Sequence, residues 1–292
     1  MTEKKDYLDE AVRKHYDTYS NKGLQLRVQP FLQTELPKNP ARLLVVGIAL
    51  GGEEEIEAMN RYFPSYKVYG VDVARSALHI KSKAKLIYSD ICSLSFENNF
   101  FSGIMCSAVL HEVYSFKKDG KKEVNKAIKE IYRTLAINGI AAIREFFVPS
   151  DEEARLLCIT EESFQFSKKF IERFRKNLEK DLRKKFILKG REILSNKRLL
   201  TDLMLHFRVA KVHFKSFEDF FKSKEAEEMY LPLSKEDYIK NIESTGGKVV
   251  NISYIDFSDY YEKIEKNFKL IDNKGNTIKN KFGFVDIVFK KK

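Results

Sequence analysis

The 292-residue chain carries 53 Lys/Arg against 42 Asp/Glu, a formal charge of +11, with 43% hydrophobic residues. That apolar share excludes wholesale disorder, and the length allows one large core or one core with an appended lobe. The best apolar run, Leu43 to Leu50, is broken by Gly47 and falls well short of the roughly 18 residues of a membrane span, so no membrane partner is expected.

The charged start, Met1-Thr2-Glu3-Lys4-Lys5-Asp6, does not read as a secretory signal. Cys92, Cys106 and Cys158 are too scattered for a disulfide framework or a thiolate metal site. The five histidines show no ligand-type pairing, so no metal is expected. Together these features predict a reducing, cytoplasmic setting.

Residues 1–40 read as an N-terminal helical segment (Tyr7, Leu8, Val12, Tyr16, Tyr19) with a turn at Asn21-Lys22-Gly23 and prolines at 30, 37 and 40. From Arg42 strands and helices alternate. Leu43 to Gly47 is a continuous apolar run, as in a strand buried on both faces of a parallel sheet. The pattern then predicts a helix over 53–62, a strand over 66–73, a helix over 74–83 and a strand over 84–89. A fourth strand follows over 101–110, a helix over 121–136 and a fifth strand over 140–148.

The rhythm breaks between 149 and 232. Phe170, Phe174, Leu178, Leu182 and Phe186 recur every fourth residue, which predicts a helical insertion. Between Lys168 and Arg198 stand 13 Lys/Arg and 4 Asp/Glu, a net +9 that leaves +2 for the rest of the chain. This stretch is either a solvated helix face or a surface for an anionic partner, nucleic acid included. Beyond it, a helix over 234–244, a Gly246-Gly247 stop and strands over 248–257 and 282–289 are expected. The last two have no certain helix between them and should pair antiparallel. The whole predicts an α/β doubly wound, mostly parallel seven-stranded sheet with an antiparallel last strand, plus a helical insertion. The domains are then 1–40, 41–148 with 233–292, and a basic lobe over 149–232.

Three strand ends carry ligand-type residues. Gly47, Ala49 and Gly51 lie between the first strand and the next helix, where small residues admit a ligand to the backbone. Asp72, followed by Val73, ends the second strand, where a carboxylate can accept ribose hydroxyls. Asp90-Ile91 ends the third, placed to meet an adenine edge. The first helical turn, Glu53-Glu54-Glu55, satisfies the helix dipole itself and repels a pyrophosphate. A ligand bearing an ammonium and a sulfonium suits that turn better than a dinucleotide does.

With these residues in place, the chain resembles the class I S-adenosylmethionine-dependent methyltransferases. Leu43 to Gly51, Val71-Asp72-Val73, Ser89-Asp90-Ile91, Ser107 to Val113, and Tyr132 to Leu135 with Asn138-Gly139 carry the resemblance, over roughly 40–148 and 234–292. The departures are Val45, where the family has an acidic residue, and Ala49, where it has glycine; Glu53 is a candidate replacement for the lost acid.

The resemblance implies S-adenosylmethionine as cofactor, with Ser107 beside it and Tyr16 and Tyr19 closing over it. His111 and Glu112 would face the methyl group, His111 as the candidate base. Arg144 and Glu145 alternate in facing, so at most one reaches the crevice. The expected reaction is methyl transfer to a small-molecule acceptor, anionic if the basic lobe selects it. The alternatives are an RNA-directed enzyme using that lobe, a nicotinamide-dependent oxidoreductase, and a non-catalytic module with a degenerate fold.

Overall fold

Each apolar run of the sheet region becomes a strand in the computed structural model, which describes residues 21–48, 52–147, 152–174, 182–256, 264–279 and 283–292. Chain order begins with α1 (Asn21–Leu32), β1 (Arg42–Val46), α2 (Gly52–Tyr62), β2 (Lys67–Asp72), β3 (Lys85–Tyr88) and β4 (Phe101–Ser107). Next come α3 (Leu110–Phe116), α4 (Gly120–Thr134) and β5 (Leu135–Phe147). The second part holds β6 (Glu153–Cys158), α5 (Glu161–Arg173), β7 (Ile187–Lys189), β8 (Glu192–Asn196), α6 (Lys197–His213) and α7 (Phe217–Lys222). The chain closes with α8 (Lys235–Ser244), β9 (Lys248–Asp256), β10 (Phe268–Ile271) and β11 (Gly283–Lys290).

Seven strands form one sheet in the order β3-β2-β1-β4-β5-β11-β9. β1, β2, β3, β4 and β5 pair in parallel, whereas β11 runs antiparallel to both β5 and β9. The doubly wound sheet and its antiparallel closing strand are thus as expected. β1 and β4 are buried along nearly their whole length, because helices cover both faces. Leu43, Val45 and Met105 pack with Val28, Ile56 and Met59 of α1 and α2. Leu44, Val46 and Cys106 pack with Ile128, Ile131 and Tyr238 of α4 and α8. The chain runs outward from β1 to β3 and returns to β4 on the other side. The carboxyl ends of β1 and β4 therefore flank the switch point, where open α/β sheets hold ligands.

Four expectations shift. Asn21-Lys22-Gly23 begins α1 rather than a turn. The segment over 74–83 holds only a short 3-10 turn, Arg75–His79, with no side-chain cap at Ala74; the Ala74 N–H is instead taken by Asp72. β4 stops at Ser107 because Ala108 adopts φ +52°. The insertion is not helical throughout: α5 ends at Arg173, and β6, β7 and β8 join β10 in a second, antiparallel sheet ordered β10-β6-β8-β7. Phe170, Phe174, Leu182 and Phe186 do share one core there, with Phe207 and Phe220. Their spacing reported a common burial rather than one continuous helix. β10, which lies between β9 and β11 in sequence, completes this sheet by pairing with β6.

Candidate active site

The ends of β1 and β4 at the switch point turn through backbone geometry that few residues tolerate. Gly47 follows β1 with φ +79°, and a Cβ there would lie 2.2 Å from Val109 Cγ2. Ala108 follows β4 at φ +52°, a left-handed conformation costing about 1–2 kcal/mol for a residue with a side chain. Its N–H bonds Arg144 O at 2.8 Å, and the next two N–H groups, of Val109 and Leu110, both donate to Glu145 Oε1 at 2.9 and 2.6 Å. Strand β5 thereby fixes the turn that follows β4.

Asp72 spans two strand ends. Its Oδ2 accepts the Ile48 N–H at 2.9 Å and its Oδ1 accepts the Ala74 N–H at 2.6 Å. A carboxylate oxygen carries two lone pairs, so this half-buried side chain is oriented and still able to accept from a ligand. Val73 beside it is 57% exposed, an apolar surface at the crevice edge. Asp90 is partly exposed, accepts the Cys92 N–H at 2.9 Å and pairs with Lys117. Burial pushes its pKa up, but Lys117 and the Cys92 N–H outweigh that and hold it below the usual carboxylate range. Ile91 is buried. Ala49, Gly51, Tyr16 and Tyr19 lie outside the described residues.

The acidic turn divides. Glu53 faces outward and lines a recess of about 400 Å³ with Leu24, Ile56, Glu57, Arg61, Lys81 and Ser82. Glu54 and Glu55 turn inward and are buried, with Arg27 at 3.8 and 4.0 Å and the Ser107 hydroxyl against Glu55. Each keeps one buried oxygen, Oε2, without a hydrogen-bond partner. Glu53 is thus set apart from the two enclosed acids of its own turn.

A second cluster stands where α3 meets the lobe. His111 is buried, with Nδ1 2.8 Å from Glu145 Oε2 and Nε2 2.9 Å from Glu228 Oε1. Carboxylates only accept, so both ring nitrogens carry hydrogen. Burial pulls the imidazole pKa down, but Glu145 and then Glu228 hold it well above the usual histidine value. Both ring nitrogens of His111 face carboxylates in this geometry, so a role as base requires one of those contacts to open. The ligand atoms of His111, Glu112 and Glu228 lie within 4.8 Å of one another, with His111 Nε2 facing Glu228 Oε1.

Glu112 is exposed on the adjoining turn, but protein stands around it on most sides. That desolvation first, and the Glu228 carboxylate second, raise its pKa to about 7; His111 opposes them, while Asp72 and Glu225 add to the rise. The influence of Asp72 links this cluster to the strand-tip site. Phe146 and Tyr230 pack on the His111 ring at 5.1 and 6.0 Å between centroids.

Arg144 and Glu145 do alternate. Arg144 forms a bidentate pair with Asp286 at 2.6 and 2.8 Å on one face of the sheet, while Glu145 serves His111 on the other. Glu228 is the residue that sequence reasoning did not name, and Glu145 was weighed only as one of an alternating pair. An ionisable pair inside the otherwise apolar β5 was a visible signal for Glu145; nothing local marked Glu228.

The lobe uses many of its own cations. Arg173 donates to Phe221 O, Arg183 to Glu172 O, Arg191 to Glu161, and Arg198 to Leu231 O and Pro232 O. Lys197 is buried. Lys176 and Lys180 lie outside the described residues. No helix among the described residues is long and apolar enough to cross a membrane, and all three cysteines are free and buried.

A family model described as a methyltransferase domain matches residues 46–143. No curated protein matches the chain. Among solved structures, a Bacillus halodurans protein provisionally assigned as a methyltransferase is 12% identical, with a TM-score of 0.50, over 91% of this chain and 98% of that one. A SAM-dependent methyltransferase of Methanosarcina mazei is 15% identical, with a TM-score of 0.43, over 86% and 92%. At such identities the likeness concerns the fold.

Proposed function

We propose that the chain is a class I S-adenosylmethionine-dependent methyltransferase, as the methyltransferase-domain match over residues 46–143 supports, and that it methylates a small-molecule acceptor with Glu112 as general base. The donor supplies an electrophilic methyl group on a sulfonium. The observation that carries the donor assignment is Asp72, tied by two backbone N–H groups across the ends of β1 and β2 and half open to the crevice. The described residues also fit the donor's charge and shape: Glu54 and Glu55 offer buried, unpartnered oxygens, and Val73 offers an open apolar surface. In this reading Gly47, Asp72, Val73, Asp90, Ile91 and Ser107 line the donor site. Ala49, Gly51, Tyr16 and Tyr19 join it on the strength of the resemblance.

On the acceptor side, Glu112 takes a proton and His111 positions. The His111 imidazolium holds Glu228 of the lobe against Glu145 of β5, so the wall opposite the donor is assembled across the junction. That wall is acidic, with Glu112, Glu225 and Glu228 facing one another's fields. An anionic acceptor, or RNA, would have to meet the lobe's exposed lysines instead. The small molecule is the reading these side chains support. The proposed division is a donor-binding unit of 41–148 with 233–292, an acceptor-side lobe of 149–232 that also takes β10 from the closing segment into its sheet, and an N-terminal helical segment of 1–40. The free, buried thiols suit a reducing compartment, and we place the enzyme in the cytoplasm.

Titration calorimetry tests the donor assignment. S-adenosylmethionine and S-adenosylhomocysteine should both bind at one site per chain, and NAD should not. Binding of NAD with neither nucleoside would overturn the proposal.

A further inference from the structure

The lobe's own sheet has an edge and a face that the proposed reaction does not use. β7 is its outermost strand, joined to β8 through the turn Gly190-Arg191. Every residue of β7 and of that turn is exposed, with Ile187 at 54% and Leu188 at 39%. Gly190 stands at φ +58°, and a Cβ there would meet nothing within 4 Å. The hairpin therefore projects from the lobe, with two large aliphatic side chains beside its turn.

The strand register extends that surface across the sheet. Ile187 lies beside Leu194, Leu194 beside Arg155, and Arg155 beside Ile271. The next row, which includes Glu192 and Leu157, begins at Lys189 and ends at Lys269. Side chains alternate along each strand, so both rows share the face opposite Ile193, Leu156 and Leu270, which are buried in the lobe's core. No residue of the two rows is aromatic.

Charge follows the same edge. Leu182 to Arg191 carries five Lys/Arg and no Asp/Glu. Arg183 is engaged by Glu172 O and Arg191 by Glu161. Lys184, Lys185 and Lys189 are exposed and, among the described residues, have no ion-pair partner. Exposed aliphatic side chains and unpaired positive charge thus stand together.

That combination selects among occupants. A strand of three residues ending on lysine is a poor template for pairing with a second copy, and two such basic edges repel. Single-stranded RNA is held by aromatic platforms as well as by charge, and these rows offer none. An anionic bilayer meets both features at once. Its headgroups attract the lysines, and its acyl boundary receives the aliphatic side chains along with the lysine stems.

We propose that the β7–β8 hairpin, with the outward face beside it, docks the lobe on an anionic lipid surface. The attachment is peripheral and independent of the donor and acceptor readings.

The test sediments the full chain with vesicles of phosphatidylcholine alone, and of phosphatidylcholine with an equal part of phosphatidylglycerol. The protein should bind the second and not the first, less tightly as salt rises. Each lysine near an anionic surface contributes about fivefold in affinity. Joint Lys184→Gln, Lys185→Gln and Lys189→Gln should therefore weaken binding about 100-fold. Ile187→Ser should weaken it about five- to tenfold, because insertion covers the exposed half of the isoleucine. Thermal midpoints of both variants should match wild type; Ile187→Ala takes the place of Ile187→Ser if the latter's midpoint falls.

Wild type that ignores the mixed vesicles at low salt overturns the proposal. Binding that falls with the lysines but is indifferent to Ile187→Ser overturns it too, since charge alone would then hold the protein. Tighter binding to polyuridylate than to the vesicles, lost in the same lysine variant, would assign the face to RNA instead. A dimer in analytical ultracentrifugation that Ile187→Ser dissociates would assign it to a second copy.

Discussion

The two sides of the crevice are built differently. On the proposed donor side, Gly47, Asp72 and Asp90 each sit at the end of a parallel strand, and the hydrogen bonds that orient the two acids come mostly from backbone N–H groups. On the proposed acceptor side, His111, Glu145 and Glu228 come from α3, β5 and the lobe, and His111 joins the other two through their carboxylates. The first arrangement follows from sheet topology, so it survives wide changes of sequence around it. The second depends on charges desolvated together, so removal of one member strands the others.

The largest expected effect follows from that contrast. His111→Ala leaves Glu145 and Glu228 facing each other without their cation, and should cost about 3–5 kcal/mol in denaturant unfolding. The folded-state pKa of His111 is raised, so its contribution is fully present below the unfolded value, about 6.5, and is lost as pH rises through the folded one. The gap between wild type and mutant should therefore narrow in alkali. A gap that widens there would show that the pairing is not what stabilises the junction.

Glu112 gives the next effect, and it is catalytic. Glu112→Gln should lower turnover about 10²–10⁴-fold with donor affinity nearly intact. A base must be ionised to act, so the wild-type rate should rise with pH through about 7, the value set by desolvation, Glu228, His111, Asp72 and Glu225. That rising limb should vanish in the variant. A limb that persists would assign the base elsewhere.

Asp72→Ala should weaken S-adenosylhomocysteine by about 1.5–3 kcal/mol in calorimetry, the scale for hydrogen bonds to a charged group. His111→Ala, by contrast, should leave that affinity nearly unchanged at low temperature. If both variants lose donor binding equally, the two sides are one unit and the contrast is broken.

The smallest effect is expected on the lobe surface. Lys168, Lys184, Lys185 and Lys189 are exposed, and their joint replacement by Gln should change stability by no more than about 0.5 kcal/mol per site. Acceptor KM should also hold. A raised KM with a shallower salt dependence would instead establish the lobe as a collector of anions.

The outline of the sheet was legible because continuous apolar runs and their spacing suffice to specify buried parallel strands. Asp72 was legible because a strand end is a fixed address at the crevice. Short-range pattern also misled. The fourfold recurrence from Phe170 to Phe186 looked helical, although Leu178 lies outside the described residues and Phe186 joins the same core from beyond the end of α5. His111 looked like a base because its chain position was readable and its partners were not.

By itself, then, the sequence determined the sheet, its antiparallel closing strand and the strand-end residues, each of which is marked by a local pattern of apolar runs and turns. Tertiary structure decided which glutamate of α2 turns inward, which face of β5 carries Glu145, and that Glu228 meets His111 across 117 positions. Those outcomes set the protonation of the site. The physical reason is that desolvation and ion pairing depend on every chain segment packed around a group, and no local pattern records that enclosure.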